Sequence, residues 1–398
     1  MFNKKILILG GSRYYSRCIE GLKKNNYTVI VADKDKDADG FNYSNFSEVC
    51  DIVDKKSVLK VALKYEIDAV VPVNDYGVPT AAYVAEKMGL KGISQEAAEL
   101  STNKESMRTR WLDKGLPSPK FIIANDVLTL RDAITEIGFP CIIKPAHGIG
   151  GASRGIIVVR EPNEIDKSIE FSHRFYTDKS TIVEEFVKAE SEHSIEALVV
   201  GGRIHIIAVS DKVKSDLPYR VDKAVIYPSA LTADNLNVLQ KIVADSVFAL
   251  GITDGVAHVE VGLTDKGFIL FELGARCGGG GTANPIVKSV YGFDLFYEYV
   301  QLLLGESIGE IQSKAKMGCC YYFLTPDKGV VNNITGFEKI KSLPSVLDAE
   351  LNLKTGSIIN PLTVGTERSG FIIITAKTGL DAYMHADILE KSIRYTYQ

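Results

Sequence analysis

No basic block and no interleaving of basic with aromatic residues occurs in the 398 residues, and 46 Lys and Arg stand against 50 Asp and Glu, for a net charge of −4. A nucleic-acid partner is therefore not expected, because its recognition needs a positive patch. No apolar run approaches the about 18 residues of a membrane span, so no membrane partner is expected either. The apolar part of the N-terminal FNKKILILGG is too short for a secretory signal and runs straight into Gly10-Gly11. The six cysteines are scattered, with only Cys319 and Cys320 adjacent. That spacing suits neither a zinc site nor a disulfide framework, and it points to the reducing cytoplasm. There is no Gly-Lys-Ser/Thr after a glycine loop and no GxGxxG string, and repeats, low-complexity segments and long linkers are also missing.

What is present alternates. KILILG, TVIVAD and AVVPVN are β-branched apolar strands, with helical patterns around Arg13 to Lys24 and Lys55 to Tyr65 between them, which predicts a parallel sheet covered by helices. The chain is too long for one core. The expected fold class is α/β and α+β in three parts. Residues 1–100 form a Rossmann-like parallel-sheet domain, and 101–312 form a central domain with a lid subdomain at about 121–187. Residues 313–398 form a small C-terminal mixed α+β domain holding CCYYFL and SGFIIITAKT. The first part also admits a dinucleotide-binding reading, with Gly10-Gly11-Ser12 at the phosphates and Asp33 on the ribose. Against it, Arg13-Tyr14-Tyr15 stands where a third close-packing glycine belongs.

Three segments carry chemistry. VAHVEVGLTDKGFILFELGAR, Val256 to Arg276, reads as a hairpin turning at Asp265-Lys266-Gly267 with glycine in the left-handed position of a three-residue loop. Pairing Thr264 with Phe268 puts Gly262 opposite Leu270 and Glu260 opposite Glu272, with His258 further along the same face. Facing carboxylates repel, and a hard divalent cation such as Mg²⁺ would compensate them. A two- or four-residue loop would instead turn one Glu to the other face. CIIKPAHGIGGASRG is a strand ending at Lys144, followed by a glycine-rich loop with Gly150, Gly151 and Ser153 that can approach phosphate oxygens; a plain surface turn is the alternative. TIVEEFVKAESEHSIEALVV offers Glu184, Glu185, Phe186 and Val187 as a hinge for an adenine edge and Glu192 for ribose hydroxyls, or else a solvated acidic edge strand.

Together, in order along the chain, these segments resemble the ATP-grasp superfamily, in its carboxylate–amine ligase branch beside L-amino acid ligases and carbamoyl phosphate synthetase-like ligases. The resemblance implies ATP with Mg²⁺, or Mn²⁺ in its place. It puts Lys104 and Lys144 on the phosphates, the loop from His147 to Gly155 as their lid, Glu184 to Val187 at adenine and Glu192 at ribose. Glu260 and Glu272 become the metal carboxylates. Many members carry Asn where this chain has Gly274, which leaves the number of metals open.

The implied reaction joins a small-molecule carboxylate, such as an amino acid, to an amine through an acyl phosphate, releasing ADP and phosphate. The chemistry needs charge neutralisation rather than a side-chain nucleophile. Arg276 and Lys212 would supply charge, and His258 would orient substrate or act as a base, unless it is a satisfied strand histidine. Gly11 to Tyr14 and Asn74-Asp75 become substrate-contact candidates. A homodimer is compatible with this branch. An ATP-grasp kinase, a degenerate binding module and an NAD-dependent oxidoreductase are the competing functions.

Overall fold

Four aliphatic runs near the N-terminus, β1 (Lys5–Leu9), β2 (Thr28–Asp33), β3 (Phe46–Val49) and β4 (Ala69–Pro72), make a parallel sheet in the order β3-β2-β1-β4. The computed structural model in which they lie describes residues 3–147, 151–176 and 180–398. Ile6 to Leu9 are fully buried because alternate residues feed two cores. Helix α1 (Ser16–Lys24) covers one face, and α2 (Lys55–Tyr65) and α3 (Val78–Met88) cover the other. Asp54 starts α2 by accepting the N–H groups of Lys56 and Ser57. Among the described residues no helix is long and apolar enough to cross a membrane.

The dinucleotide reading of this domain fails on geometry. The Asp33 carboxylate accepts the Gly11 N–H at 2.7 Å and the Asp35 N–H at 2.9 Å. The acid and the backbone donor that a ribose and a pyrophosphate would use are thus spent on one another. Gly40 also packs on Gly11, donating its N–H to the Gly11 carbonyl.

A second sheet holds β5 (Phe121–Ala124), β6 (Cys141–Pro145), β7 (Ile157–Val159) and β8 (Thr181–Glu185) in the antiparallel order β5-β8-β6-β7. The remaining strands are β9 (Ser191–Val200), β10 (Arg203–Lys214), β11 (Asp222–Tyr227), β12 (Gly255–Thr264), β13 (Gly267–Gly274), β14 (Gly318–Leu324), β15 (Gly329–Thr335), β16 (Val346–Leu351), β17 (Ile358–Ile359), β18 (Gly370–Ala376) and β19 (Arg394–Tyr397). Eight of them form one antiparallel sheet, β13-β12-β9-β10-β11-β14-β18-β16, and a small sheet β17-β15-β19 lies beside it. The large sheet therefore runs without a break across the boundary expected near residue 312.

One face of this sheet is apolar. Ile195, Val199, Val259, Val261, Leu270 and Leu273 pack there against Met107, Trp111 and the helix Ala233–Ala249. Its other face is polar, and the register that puts Glu260 there differs from the sequence expectation. The turn holds two residues, with Thr264 paired to Gly267 and Gly262 to Ile269 rather than Leu270. Alone, that shift would send one of the two glutamates to the apolar side. A bulge restores them: the register slips between Glu260 and Val261, Phe271 becomes the extra residue, and Glu260 faces Glu272 after all.

Gly262 makes room for the bulge, since a Cβ there would lie 2.5 Å from the Phe271 ring and 2.9 Å from Ala189 Cβ. Gly262→Val is expected to destabilise the protein by about 1–3 kcal/mol through overpacking. Adding Phe271→Leu should recover part of that loss in a double-mutant cycle read from urea midpoints. Additive losses would show that the two positions do not share this contact.

Candidate active site

Above the polar face lies a cavity of about 740 Å³, walled by all three parts of the chain. It is within the range of about 300–1,000 Å³ typical of small-molecule sites. The residues expected at the nucleotide, the metal and the reacting groups line it, except Gly150, which lies outside the described residues; of the substrate-contact candidates Tyr14, Asn74 and Asp75 line it, whereas Gly11, Ser12 and Arg13 do not.

Strand pairing assembles the polar face. Glu260 has Glu272 on one side and Ser194 on the other, His258 pairs with Glu196, and Lys212 pairs with Glu192. Directly opposed residues share a face, so these groups converge. The charges then compensate one another. Glu272 receives Lys104 Nζ at 2.7 Å and Glu260 receives Lys212 Nζ at 2.6 Å. Lys214 lies 2.7 Å from Asp222 and 3.4 Å from Glu192, which also binds Arg220. Burial opposes ionisation of Glu260, but Lys212 and His258 outweigh it and hold its carboxyl well below the usual range. Burial likewise pushes the His258 imidazolium down, while Glu196 and Glu260 more than offset it and raise it to about 9. That rise favours the charged imidazolium of His258 as a hydrogen-bond donor. Its Nδ1 donates to Glu196 at 2.5 Å, and Glu196 also accepts the Gly278 N–H, which ties the glycine run to the sheet.

Lys104 and Lys144 reach the cavity from different elements. Lys104 opens α5 (Lys104–Asp113), directly after α4 (Gln95–Thr102), with Asn103 capping it. Its backbone N–H donates to the Ala146 carbonyl. Lys144 sits on β6 and is held 2.5 Å from Glu184. Glu184, expected at the hinge, has both oxygens committed inside the protein, the other to Arg108 Nε at 2.7 Å. Its role in this geometry is to position Lys144. Burial alone would raise its carboxyl, but Arg108 and Lys144 hold it at about 2.

The rest of the hinge is backbone. Glu185 and Phe186 N–H groups bind the Lys120 and Pro140 carbonyls, and the Glu185 carboxylate takes the Lys120 N–H. Among the described residues the Val187 N–H has no protein acceptor, and Val187 lines the cavity. Gly151 and Ser153 line the cavity as well. Asp75, from the first domain, holds Arg276 at 3.0 Å.

Several groups that line the cavity, or that bind residues lining it, were not singled out from the sequence. Arg108 is almost fully buried and also donates to the Phe271 carbonyl of the bulge at 2.5 Å. Its signal was its place one helical turn after Lys104. Glu196 shares the alternate face of Glu192, so strand periodicity could have marked it. Arg368, Tyr321 and Phe323 carry no local signal.

Among the described residues no third His, Cys, Asp or Glu joins the facing glutamates in a metal-binding group. Two hard carboxylate oxygen donors suit a Mg²⁺ ion that completes its shell with phosphate oxygens and water, so the residues present fit that ion.

Residues 137–284 match the ATP-grasp domain family and residues 322–398 match the L-amino acid ligase C-terminal domain 2 family. The chain is 26% identical over 323 residues to an L-arginine-specific L-amino acid ligase of Bacillus subtilis, covering 79% of this chain and 76% of that one. An uncharacterised protein of Sinorhizobium fredii is 24% identical over 304 residues, 75% of this chain and 61% of its own length. Among solved structures, an L-amino acid ligase from Bacillus licheniformis superposes with a TM-score of 0.86 at 21% identity, covering 100% of this chain and 99% of that one.

Removing the Glu184 charge should be costly. Glu184→Gln leaves Arg108 and Lys144 short of a buried counter-ion and is expected to cost about 3–5 kcal/mol. The carboxyl is depressed by folding, so its contribution is present above about 4.5 and is lost as pH falls toward about 2. Urea midpoints measured across that window should fall less steeply in the variant. Equal slopes would place the acid sensitivity elsewhere.

Proposed function

We propose that the chain, whose residues 137–284 match the ATP-grasp domain family, is an ATP-dependent carboxylate–amine ligase acting on amino acids or small carboxylic acids. The observation that carries this reading is the convergence of Lys104, Lys144, Lys212 and Arg276 with the facing pair Glu260 and Glu272 on one cavity. A phosphoryl-transfer site needs cations at the phosphates and carboxylates for a metal, and little else.

The substrate carboxylate attacks the γ-phosphorus of ATP, giving an acyl phosphate and ADP. The amine then attacks the acyl carbon and phosphate leaves. Lys104 and Lys144 bind phosphate oxygens, Lys144 held in place by Glu184. The Val187 N–H takes the adenine edge, and the loop carrying Gly151 and Ser153 covers the phosphates. Arg276, fixed by Asp75, presents its planar fork to the transferring phosphoryl group or the substrate carboxylate. Glu260 and Glu272 would hold Mg²⁺, which when bound neutralises phosphate charge. In that role they release Lys104 and Lys212 from their ion pairs for the substrate. Glu192 reaches ribose only by sharing its carboxylate with Lys214 and Arg220. His258, as a cation, steadies anionic groups near the metal pair.

The proposal is tested by ADP release across a matrix of amino and carboxylic acids, with mass spectrometry of the product. ADP and phosphate should appear in equal amounts with an amide. AMP with pyrophosphate would overturn the acyl-phosphate route, and a phosphorylated acceptor formed without amine would make the protein a kinase.

Glu272→Gln sharpens the site assignment. Glu272 is 42% exposed, so losing its pair with Lys104 should change stability by no more than about 1 kcal/mol. Turnover should fall by about 100-fold or more, because the amide keeps the shape and loses the anion that Mg²⁺ requires. Near-normal ADP release under saturating ATP and Mg²⁺ would remove Glu272 from the metal site.

A further inference from the structure

Most cations around the cavity already have an acid beside them: Lys104 has Glu272, Lys144 has Glu184, Lys212 has Glu260, Lys214 has Asp222 and Arg276 has Asp75. Arg368, from the C-terminal segment, is different. Among the described residues no carboxylate lies within ion-pair distance of it, although it lines the same cavity. Its Nε and Nη2 donate to the backbone carbonyl of Asp222 at 3.0 and 2.8 Å. A guanidinium has five N–H donors in a fixed fork, so the Nη1–Nη2 edge remains available for a planar anion. Burial holds its pKa below the ordinary arginine value, with Asp222 only partly offsetting the effect. A desolvated and incompletely neutralised cation favours an incoming anion.

The surroundings of Arg368 define what else that anion carries. Its Cζ lies 3.6 Å over the centroid of Phe323, so the guanidinium is stacked and its orientation is fixed. Along the polar face, the strands β13, β12, β9 and β10 present charge, whereas β14 and β18 present Tyr321, Phe323 and Phe371. Tyr321 and Phe371 meet edge to face at 5.3 Å, and Tyr14 of the first domain closes over Phe371 at 5.9 Å. The sheet order puts β14 and β18 five and six strands from β13, which bears Glu272. The aromatic wall with its single unpaired cation is therefore on the far side from the phosphate lysine Lys104.

We propose that Arg368 binds the carboxylate of the amine-bearing substrate, which is thereby an α-amino acid with an apolar or aromatic side chain rather than a simple amine. The proposal rests on the ligase reading of the same cavity. In it, the fork of Arg368 grips the carboxylate end-on, the side chain lies against Tyr321, Phe323 and Phe371, and the amino group is left to face the acyl phosphate. Arg368 thus acts as a specificity-determining residue: a substrate lacking the carboxylate leaves a partly buried cation unpaired.

The test compares two probes, L-phenylalanine and 2-phenylethylamine, which is the same amine without its carboxylate. Calorimetric binding to the full chain, saturated with Mg²⁺ and a non-hydrolysable ATP analogue, is measured beside ADP release for wild type, Arg368→Met and Arg368→Lys. Wild type should favour L-phenylalanine by about 10- to 100-fold, the worth of a charge-assisted pair. Arg368→Met should erase that preference by weakening L-phenylalanine alone, Arg368→Lys should restore part of it, and affinity for the ATP analogue should not move. The ratio of the two probes is insensitive to general damage from misfolding. An unchanged preference in Arg368→Met overturns the proposal. Equal weakening of both probes makes Arg368 a scaffold for the Asp222 carbonyl, and selective loss of the ATP analogue makes it a nucleotide contact; either result also overturns it. Failure of the ligase reading shows separately, as no ADP from any donor and amine pair while the calorimetric preference persists.

Discussion

Two carboxylates set directly opposite each other across neighbouring strands, Glu260 and Glu272, impose the constraint that organises the rest of the molecule. Such a pair repels in a partly buried setting and persists only if positive charge is delivered to both members. The chain delivers it from different elements: Lys104 from the start of α5 and Lys212 from β10. Each lysine is in turn fixed by secondary structure whose opposite side is apolar, so the charged face and the hydrophobic core of the sheet are two results of one alternation. The carboxylates and cations of the cavity are thereby paired with one another and held in place by the fold.

That arrangement depends on a second layer of ion pairs that never need to touch substrate. Glu184 and Arg108 lie at about 1% exposure and fix Lys144, while Arg108 also grips the carbonyl of Phe271, the bulged residue that sets the register of Glu272. Lys144 and the bulge beneath Glu272 are thus joined through one buried guanidinium. Asp75 plays the same part for Arg276, tying the N-terminal parallel sheet to the end of β13. The continuation of the large sheet into β14, β18 and β16 gives the C-terminal segment a share of the same floor. Substrate specificity can then be carried by strands remote from the phosphates.

Most of the elements were legible in the sequence because they rest on local periodicity. The helix from Lys55 to Tyr65 and the hairpin turning at Gly201-Gly202 follow from apolar spacing and from glycine at a tight turn. The site was legible for a similar reason: acids and lysines at strand ends or on alternate strand positions are conspicuous in an otherwise apolar run. The hairpin of Glu260 and Glu272 shows where this breaks down. The loop is one residue shorter than its glycine suggests, and the opposition of the two acids survives only because Phe271 bulges over Gly262. A bulge answers to packing from outside the strand, here by Arg108 and Ala189, and leaves no periodic trace.

The sequence by itself determined the alternation of strands and helices, the polar face of the large sheet, and the set of charges able to manage a triphosphate. Those depend on residues one to four positions apart, which the backbone brings together in any folded state. Only the tertiary structure decided which charge partners which, because an ion pair between Lys104 and Glu272 or between Arg276 and Asp75 joins segments more than 150 residues apart. It also decided that Asp33 is spent on Gly11, that Glu184 positions Lys144, and that Arg368 is left without an acid. Charge compensation in a buried network is settled by distance and desolvation, and neither quantity exists until the chain has folded.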